Sequence, residues 1–211
     1  MVAVTTRPYR SDLRTQQAEL TRSAIAEAAR AAFLEHGWSG TSIRKVAEAA
    51  GVSEATVYAV YGSKAGLAGS LIDTVDSGAD VERVLAELEA GEGDPAAQLA
   101  AFIGFDRRLY ERGGDVIRLL VEAGRHQPEL GRVAAIGRGR GESNRRRVFA
   151  TWPKKAWRRG MDLDRAVDIY AITVTIGSYD EAIDQRGWTP DDVESWWGSC
   201  LTEALLSHPK G

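Results

Sequence analysis

A single cysteine, Cys200, stands in the 211 residues of this chain, which excludes an internal disulfide framework and any zinc site built from several cysteines. The three histidines, His36, His126 and His208, are remote from one another and show no metal-ligand spacing. A glycine-rich phosphate loop and a nucleophile elbow are both missing, so neither an enzyme nor a bound cofactor or metal is expected. No apolar run approaches membrane-spanning length. The opening "MVAVTTRPYRSDLRTQQ" also lacks the apolar block of a signal peptide, so a cytoplasmic chain is expected. Neither charge sign dominates: 27 Lys and Arg face 30 Asp and Glu, a formal net charge of −3. Such a balance argues against unspecific binding to nucleic acid.

What is present reads as helix throughout. Ile25, Ala29, Ala32 and Phe33 make one apolar stripe, closed near His36-Gly37. Thr41 or Ser42 caps a second helix that ends at Gly51. A third runs from about Ser53 to Tyr61, and Gly62-Ser63 breaks the chain before a fourth begins at Lys64. That fourth helix carries Leu67, Leu71, Ile72 and Val75 on one face. Further on, "VERVLAELEAGEGDP" ends in a break, Ala97–Glu111 is a helix closed by Gly113-Gly114, and Val116–Arg125 is another. The stretch 130–159 is rich in Arg and Gly, and Pro153 should kink it or cut it. Leu163–Gln185 and Pro190–Leu206 are two long final helices, opened by Asp162 or Asp164 and by Thr189-Pro190. The expected fold is all-α: an arm and helix-turn-helix unit over 1–63, the motif at about 43–62, and a larger helical body over 64–211.

Within this plan "GVSEATVYAVYGSKAGL", Gly51 to Leu67, crowds hydroxyls and a lysine onto and beside a helix barely two turns long. A helix-turn-helix needs a small residue where its helices touch and a turn residue that tolerates a left-handed backbone. Ala47 and Gly51 meet those needs, and Val46, Ala50, Val52 and Val57 bracket them. Glu54, Ala55, Thr56 and Tyr58 then cover the remaining faces of the second helix, whose N-terminal end is the part that meets base edges in a major groove. Thr41 and Ser42, Ser53 and Thr56, and Ser63 with Lys64 put hydroxyls at three successive helix N-termini, which suits phosphate oxygens. Capping alone also accounts for Ser53 and Ser63, and the two roles are compatible.

From about Thr21 to Leu71 the chain resembles the DNA-binding domain of the tetracycline-repressor (TetR) family of bacterial transcriptional regulators. The likeness rests on Phe33, Gly37, Thr41, the Ala47-to-Gly51 turn, Val52, Ser53, Thr56, Tyr58, Tyr61 and Ser63-Lys64. It implies base contacts from Arg44, Glu54, Ala55 and Thr56, and phosphate contacts from Thr41, Ser42, Ser53, Tyr58 and Lys64. Val60 stands where many members carry Tyr or His, and Tyr61 where many carry Phe. Arg7, Arg10 and Arg14 make a basic arm, read either as a solvated terminus or as an added DNA contact.

The resemblance also implies a homodimer on a palindromic double-stranded operator, a dimer interface from the last two long helices, and a small-molecule effector. Ile169, Ile172, Thr173, Ile176, Tyr179 and Asp180 form one candidate interface stripe. Val193, Trp196, Trp197, Cys200, Leu201, Ala204 and Leu205 form the other. Phe102, Phe105, Leu109, Leu120, Trp152, Trp157 and Ile172 are candidates to line an effector pocket, with Glu122, Arg125 and His126 to orient its occupant; ordinary core is the first reading of the apolar ones and plain surface that of the polar ones. The Arg/Lys cluster 138–159 is read as a solvated face paired with Asp162, Asp164, Asp191 and Asp192. A repressor is the first expectation, an activator or a scaffold that no longer binds DNA the alternatives.

Overall fold

The computed structural model describes residues 8–78 and 80–207, with side chains for 13–74 and 80–207. It is all-α, as expected, and divides into two compact units, 1–71 and 72–211.

The first unit holds α1 (Pro8–Gly40), α2 (Ile43–Ala49), α3 (Glu54–Tyr61) and the first half of α4 (Lys64–Gly78). Its core is the apolar stripe of α1, Ile25, Ala29 and Phe33, packed with Ile43, Val46, Ala47, Val57, Leu67, Ala68 and Leu71. Because Leu67, Ala68 and Leu71 are buried there, this unit extends past the break at Gly62-Ser63. The arm is the start of α1 from Pro8 onward. Val75, Arg7, Arg10 and His208 fall outside the described side chains.

The second unit contains the rest of α4, then α5 (Val81–Ala90), α6 (Pro95–Gly124), α7 (Pro128–Phe149), α8 (Leu163–Thr173), α9 (Ile176–Asp180) and α10 (Pro190–Leu205). Two expectations about its elements are corrected. Gly113-Gly114 do not end a helix; α6 runs unbroken for 30 residues, opened by Asp94 as N-cap with Pro95 at its first turn. Both glycines are buried, and a β-carbon on Gly114 would lie 3.2 Å from the Ile176 Cδ1. Gly114 therefore serves close helix packing, and neither glycine takes the positive φ that stops a helix. Nor is 163–185 one helix: it breaks at Val174, and Thr175 starts α9 with a reciprocal cap to Ser178 before a π-helical turn over Glu181–Gln185.

Glycine has a second use here. Helical side chains lean toward the N-terminus, so residue i+4 lies over residue i. Gly104, Gly114 and Gly141 each sit beneath the guanidinium four residues on, Arg108, Arg118 and Arg145, at 3.1–3.3 Å from the place a β-carbon would occupy. The core of this unit gathers Leu99, Phe102, Ile103, Phe149, Trp152, Tyr170, Trp197, Leu201 and Leu205. The segment after α7 is tied to the end of α10 by Arg158 N to Leu205 O and Ser207 N to Ala156 O, both 2.8 Å.

Candidate nucleic-acid interface

The turn between α2 and α3 is fixed by local chemistry. Ser42 caps α2, its oxygen accepting from Lys45 N, and Ser53 caps α3, accepting from Thr56 N. Gly51 takes φ 66°, where a side chain would be strained, and Val52 N closes the turn on Ala47 O at 3.0 Å. With Val46, Ala47 and Val57 buried, the opposite faces of both helices are open. Tyr61 leaves that open surface: half-buried, it donates its hydroxyl to the Arg22 carbonyl of α1 at 3.0 Å, and burial raises its pKa.

On the open side stand Ser42, Arg44, Ser53, Glu54, Ala55 and Tyr58, with Thr56 half-buried beside them, its hydroxyl 2.8 Å from that of Ser53. Two of the residues expected at phosphates are placed otherwise. Thr41 is 4% exposed, and its hydroxyl reaches inward to Ala32 O at 2.7 Å and Gly37 O at 2.9 Å. It pins the end of α1, where Gly37 breaks the helix with φ 66°. Lys64 donates its ammonium to the Trp38 carbonyl and lies 4.2 Å from the Trp38 ring centroid. Desolvation there lowers its pKa, and a cation over an indole face is a favourable contact that holds it inside its own chain.

Two residues were missed. Lys45, exposed on α2 next to Arg44, donates to Gly40 O at 3.1 Å. Glu48, one turn after Arg44, accepts from Arg44 Nε at 2.9 Å. That hydrogen bond is the first cause of a raised Arg44 pKa, followed by the charges of Glu48 and Glu54. The i, i+4 spacing of an arginine and an acid was visible in the sequence as the signal for this pair.

In the second unit the candidate effector residues separate. Phe102, Leu120 and Trp152 are buried; Phe105, Leu109 and Trp157 are half-buried. Phe149, absent from the expected set, joins three of them, its ring centroid 4.2 Å from Trp152, 6.0 Å from Phe102 and 6.2 Å from Trp157. Ile172 does not belong with them: it is 75% exposed on the outer face of α8. Glu122, Arg125 and His126 are exposed around the end of α6.

The interface set needs correction as well. Trp197, Leu201 and Leu205 are fully buried, and Tyr179 is nearly so, within a single chain, so they are core. Ile169, Ile176 and Cys200 are half-buried, and Trp196 is exposed against Trp188. The open face of α10 is its other side, a shallow groove lined by Ser195, Gly198, Ser199, Thr202 and Glu203.

Nor is the Arg/Lys cluster wholly a solvated face. Arg146 pairs with Asp164 and Arg140 with Asp73 at the surface. Asp162 is instead a helix cap, Asp192 completes the capping box of α10 by accepting from Thr189 N, and Asp191 pairs with Arg107. Arg145 turns inward: its guanidinium meets the buried Asp106 carboxylate at 3.2 Å and lies 4.5 Å from the Tyr170 ring centroid. The Tyr170 hydroxyl donates to the same carboxylate oxygen at 2.8 Å. Burial raises the Asp106 pKa against the lowering effects of Arg145 and Tyr170, and burial raises that of Tyr170 well above its ordinary value.

A capped helix pair with a tight left-handed turn, packed on a third helix, is a helix-turn-helix unit, here followed by a helical body. Residues 25–71, most of the N-terminal unit, match the family model described as bacterial regulatory proteins, tetR family. Solved structures agree over most of the chain. NalD, the secondary repressor of the MexAB-OprM multidrug efflux pump in Pseudomonas aeruginosa, is 24% identical with a TM-score of 0.69, over 90% of this chain and 98% of that one. SmeT, solved as a complex with triclosan, is 19% identical with a TM-score of 0.70, over 89% and 92%. A transcriptional regulator from Rhodococcus sp. Rha1 is 19% identical with a TM-score of 0.61, over 89% and 99%. At these identities the likeness is one of fold. A search of curated proteins finds no match. Among the described residues no helix is long and apolar enough to cross a membrane.

Proposed function

We propose that the chain is a homodimeric, sequence-specific DNA-binding repressor of the bacterial cytoplasm that a small-molecule effector releases from a palindromic operator. The observation that carries this reading is the division of α2 and α3 into a buried side, Val46, Ala47 and Val57, and an open side bearing Arg44, Glu54, Ala55 and Tyr58. Arg44 reads guanine, Glu54, Ala55 and Thr56 face neighbouring bases, and Ser42, Ser53 and Tyr58 hold phosphates. Lys45, exposed where Thr41 is buried and Lys64 half-buried, joins the phosphate contacts in their place.

The partner copy is placed on the open face of α10, where Ser195, Gly198, Ser199 and Thr202 let a second helix approach closely. The effector is an apolar molecule of aromatic character, in keeping with the Phe102, Trp152 and Trp157 surroundings and with the triclosan held by SmeT. It acts by favouring one of two states of the dimer, which requires only unequal affinity for them.

The test is selection of bound sequences from random duplex DNA at several salt concentrations, with wild type and Arg44→Ala. Wild type should select a palindrome and weaken steeply with salt. Arg44→Ala should lose about 1–3 kcal/mol and its preference at one base position per half-site. No enrichment at low salt would mean that the scaffold does not read DNA.

A further inference from the structure

The open surface of α2 and α3 carries two acids, Glu48 and Glu54, beside Arg44. An acid facing DNA is repelled by phosphates, so each needs a reason to be there. For Glu48 the geometry supplies one. Its Oε1 takes the Arg44 Nε–H at 2.9 Å across a single helical turn. Nε is the guanidinium nitrogen nearest the backbone; the contact leaves the two terminal nitrogens outside it. Those two nitrogens have the spacing that matches guanine O6 and N7 in a bidentate contact.

Resting on the DNA-binding reading above, we infer that Glu48 is a positioning residue for base recognition: it holds the Arg44 guanidinium by Nε so that its terminal edge meets guanine. In water the pair is weak, because both side chains are largely exposed, 75% and 62%. Once DNA covers the surface and excludes water, the same contact strengthens and fixes the plane of the guanidinium. An unsupported arginine turns freely about its long side chain and meets phosphates as readily as bases. Glu48 thereby turns a general cation into a reader of one base, and the repulsion it adds toward phosphate falls equally on every sequence. The acid weakens binding to all DNA while sharpening the choice among sequences.

That sign difference is the test. The operator is first selected with the full wild-type chain, and the base read by Arg44 is the one whose preference disappears in Arg44→Ala. Glu48→Ala and Glu48→Gln are then compared with wild type on three duplexes at one salt concentration: the operator, the operator with that base pair exchanged, and random DNA. Glu48→Ala should bind random DNA as tightly as wild type or more so, while its preference at the Arg44 position falls about 5- to 10-fold, a share of what a bidentate arginine contributes. Preferences at other positions should stay, and Glu48→Gln, which keeps an acceptor, should keep most of the lost one. Equal tightening on all three duplexes would overturn the inference, as would a loss spread over many positions. A wild-type chain that selects no sequence defeats the DNA-binding reading itself, and that result comes before any variant is compared.

Discussion

The two units hold their polar groups in different ways. In the first, polar contacts are mostly short-range: Ser42 and Ser53 cap the helices they precede, and Arg44 pairs with Glu48 one turn on. In the second, arginines reach across the fold. Arg107 on α6 meets Glu194 on α10 at 2.8 Å, and Arg118 on α6 holds both Asp180 oxygens at 2.7 and 2.8 Å. Arg145 on α7 meets Asp106 on α6, with Tyr170 of α8 on the same carboxylate. A surface that must present side chains to a partner keeps its own polar links local. A body that carries shape from helix to helix spends its charges between helices.

The largest test of this contrast is Asp106→Ala. It leaves the Arg145 guanidinium buried without its carboxylate, and breaking one partner of a buried pair costs about 3–5 kcal/mol. Urea unfolding followed by tryptophan fluorescence reports it, since all tryptophans except Trp38 lie in the second unit. The same residue gives a pH signature. Burial raises its pKa above the ordinary 3.8, so the stability it contributes is full below that value and is lost as pH rises through the higher folded one. Asp106→Asn does not titrate, and its stability relative to wild type should rise across that window; a flat difference would mean that Asp106 keeps its ordinary pKa.

Next in size is Thr41→Val in the first unit. It removes the hydroxyl that reaches Ala32 and Gly37 and with it both hydrogen bonds, a loss of about 1–2 kcal/mol. Amide exchange should quicken in α1 and α2 without DNA present, whereas a pure phosphate contact would change only DNA affinity. The smallest effect is a gain. Gly139 lies inside α7 with open space where a β-carbon would go, so Gly139→Ala should stabilise the second unit by about 0.5–1 kcal/mol. A loss there would show that α7 needs its backbone freedom.

The same contrast explains what could be read from residues alone. Caps, the Gly51 turn and the apolar bracket depend on neighbours within a few positions, and α2, α3 and α4 start where Ser42, Ser53 and Ser63 announce them. The inward contacts of Thr41 and Lys64 were not legible, because their partners, Ala32 and Trp38, stand on another element. In the second unit glycine misled most. Gly113 and Gly114 look like a stop, as Gly91 does, yet only Gly91 ends a helix; packing alone distinguishes a glycine that ends a helix from one that lets another helix come near. The inward face of α10 was misassigned for a related reason: periodicity marks Trp197, Leu201 and Leu205 as one stripe but cannot say whether its own chain or a second one covers it.

The glycines lying beneath arginines have a consequence for heredity. Gly104 with Arg108, Gly114 with Arg118 and Gly141 with Arg145 are each a two-letter word spelled four residues apart. A methyl on the first letter would press on the guanidinium of the second, so the glycine is the constrained letter, while the arginine can shorten without disturbing it. Lineages that keep the arginine should keep the glycine beneath it, and those that lose the arginine are free to fill the glycine's place.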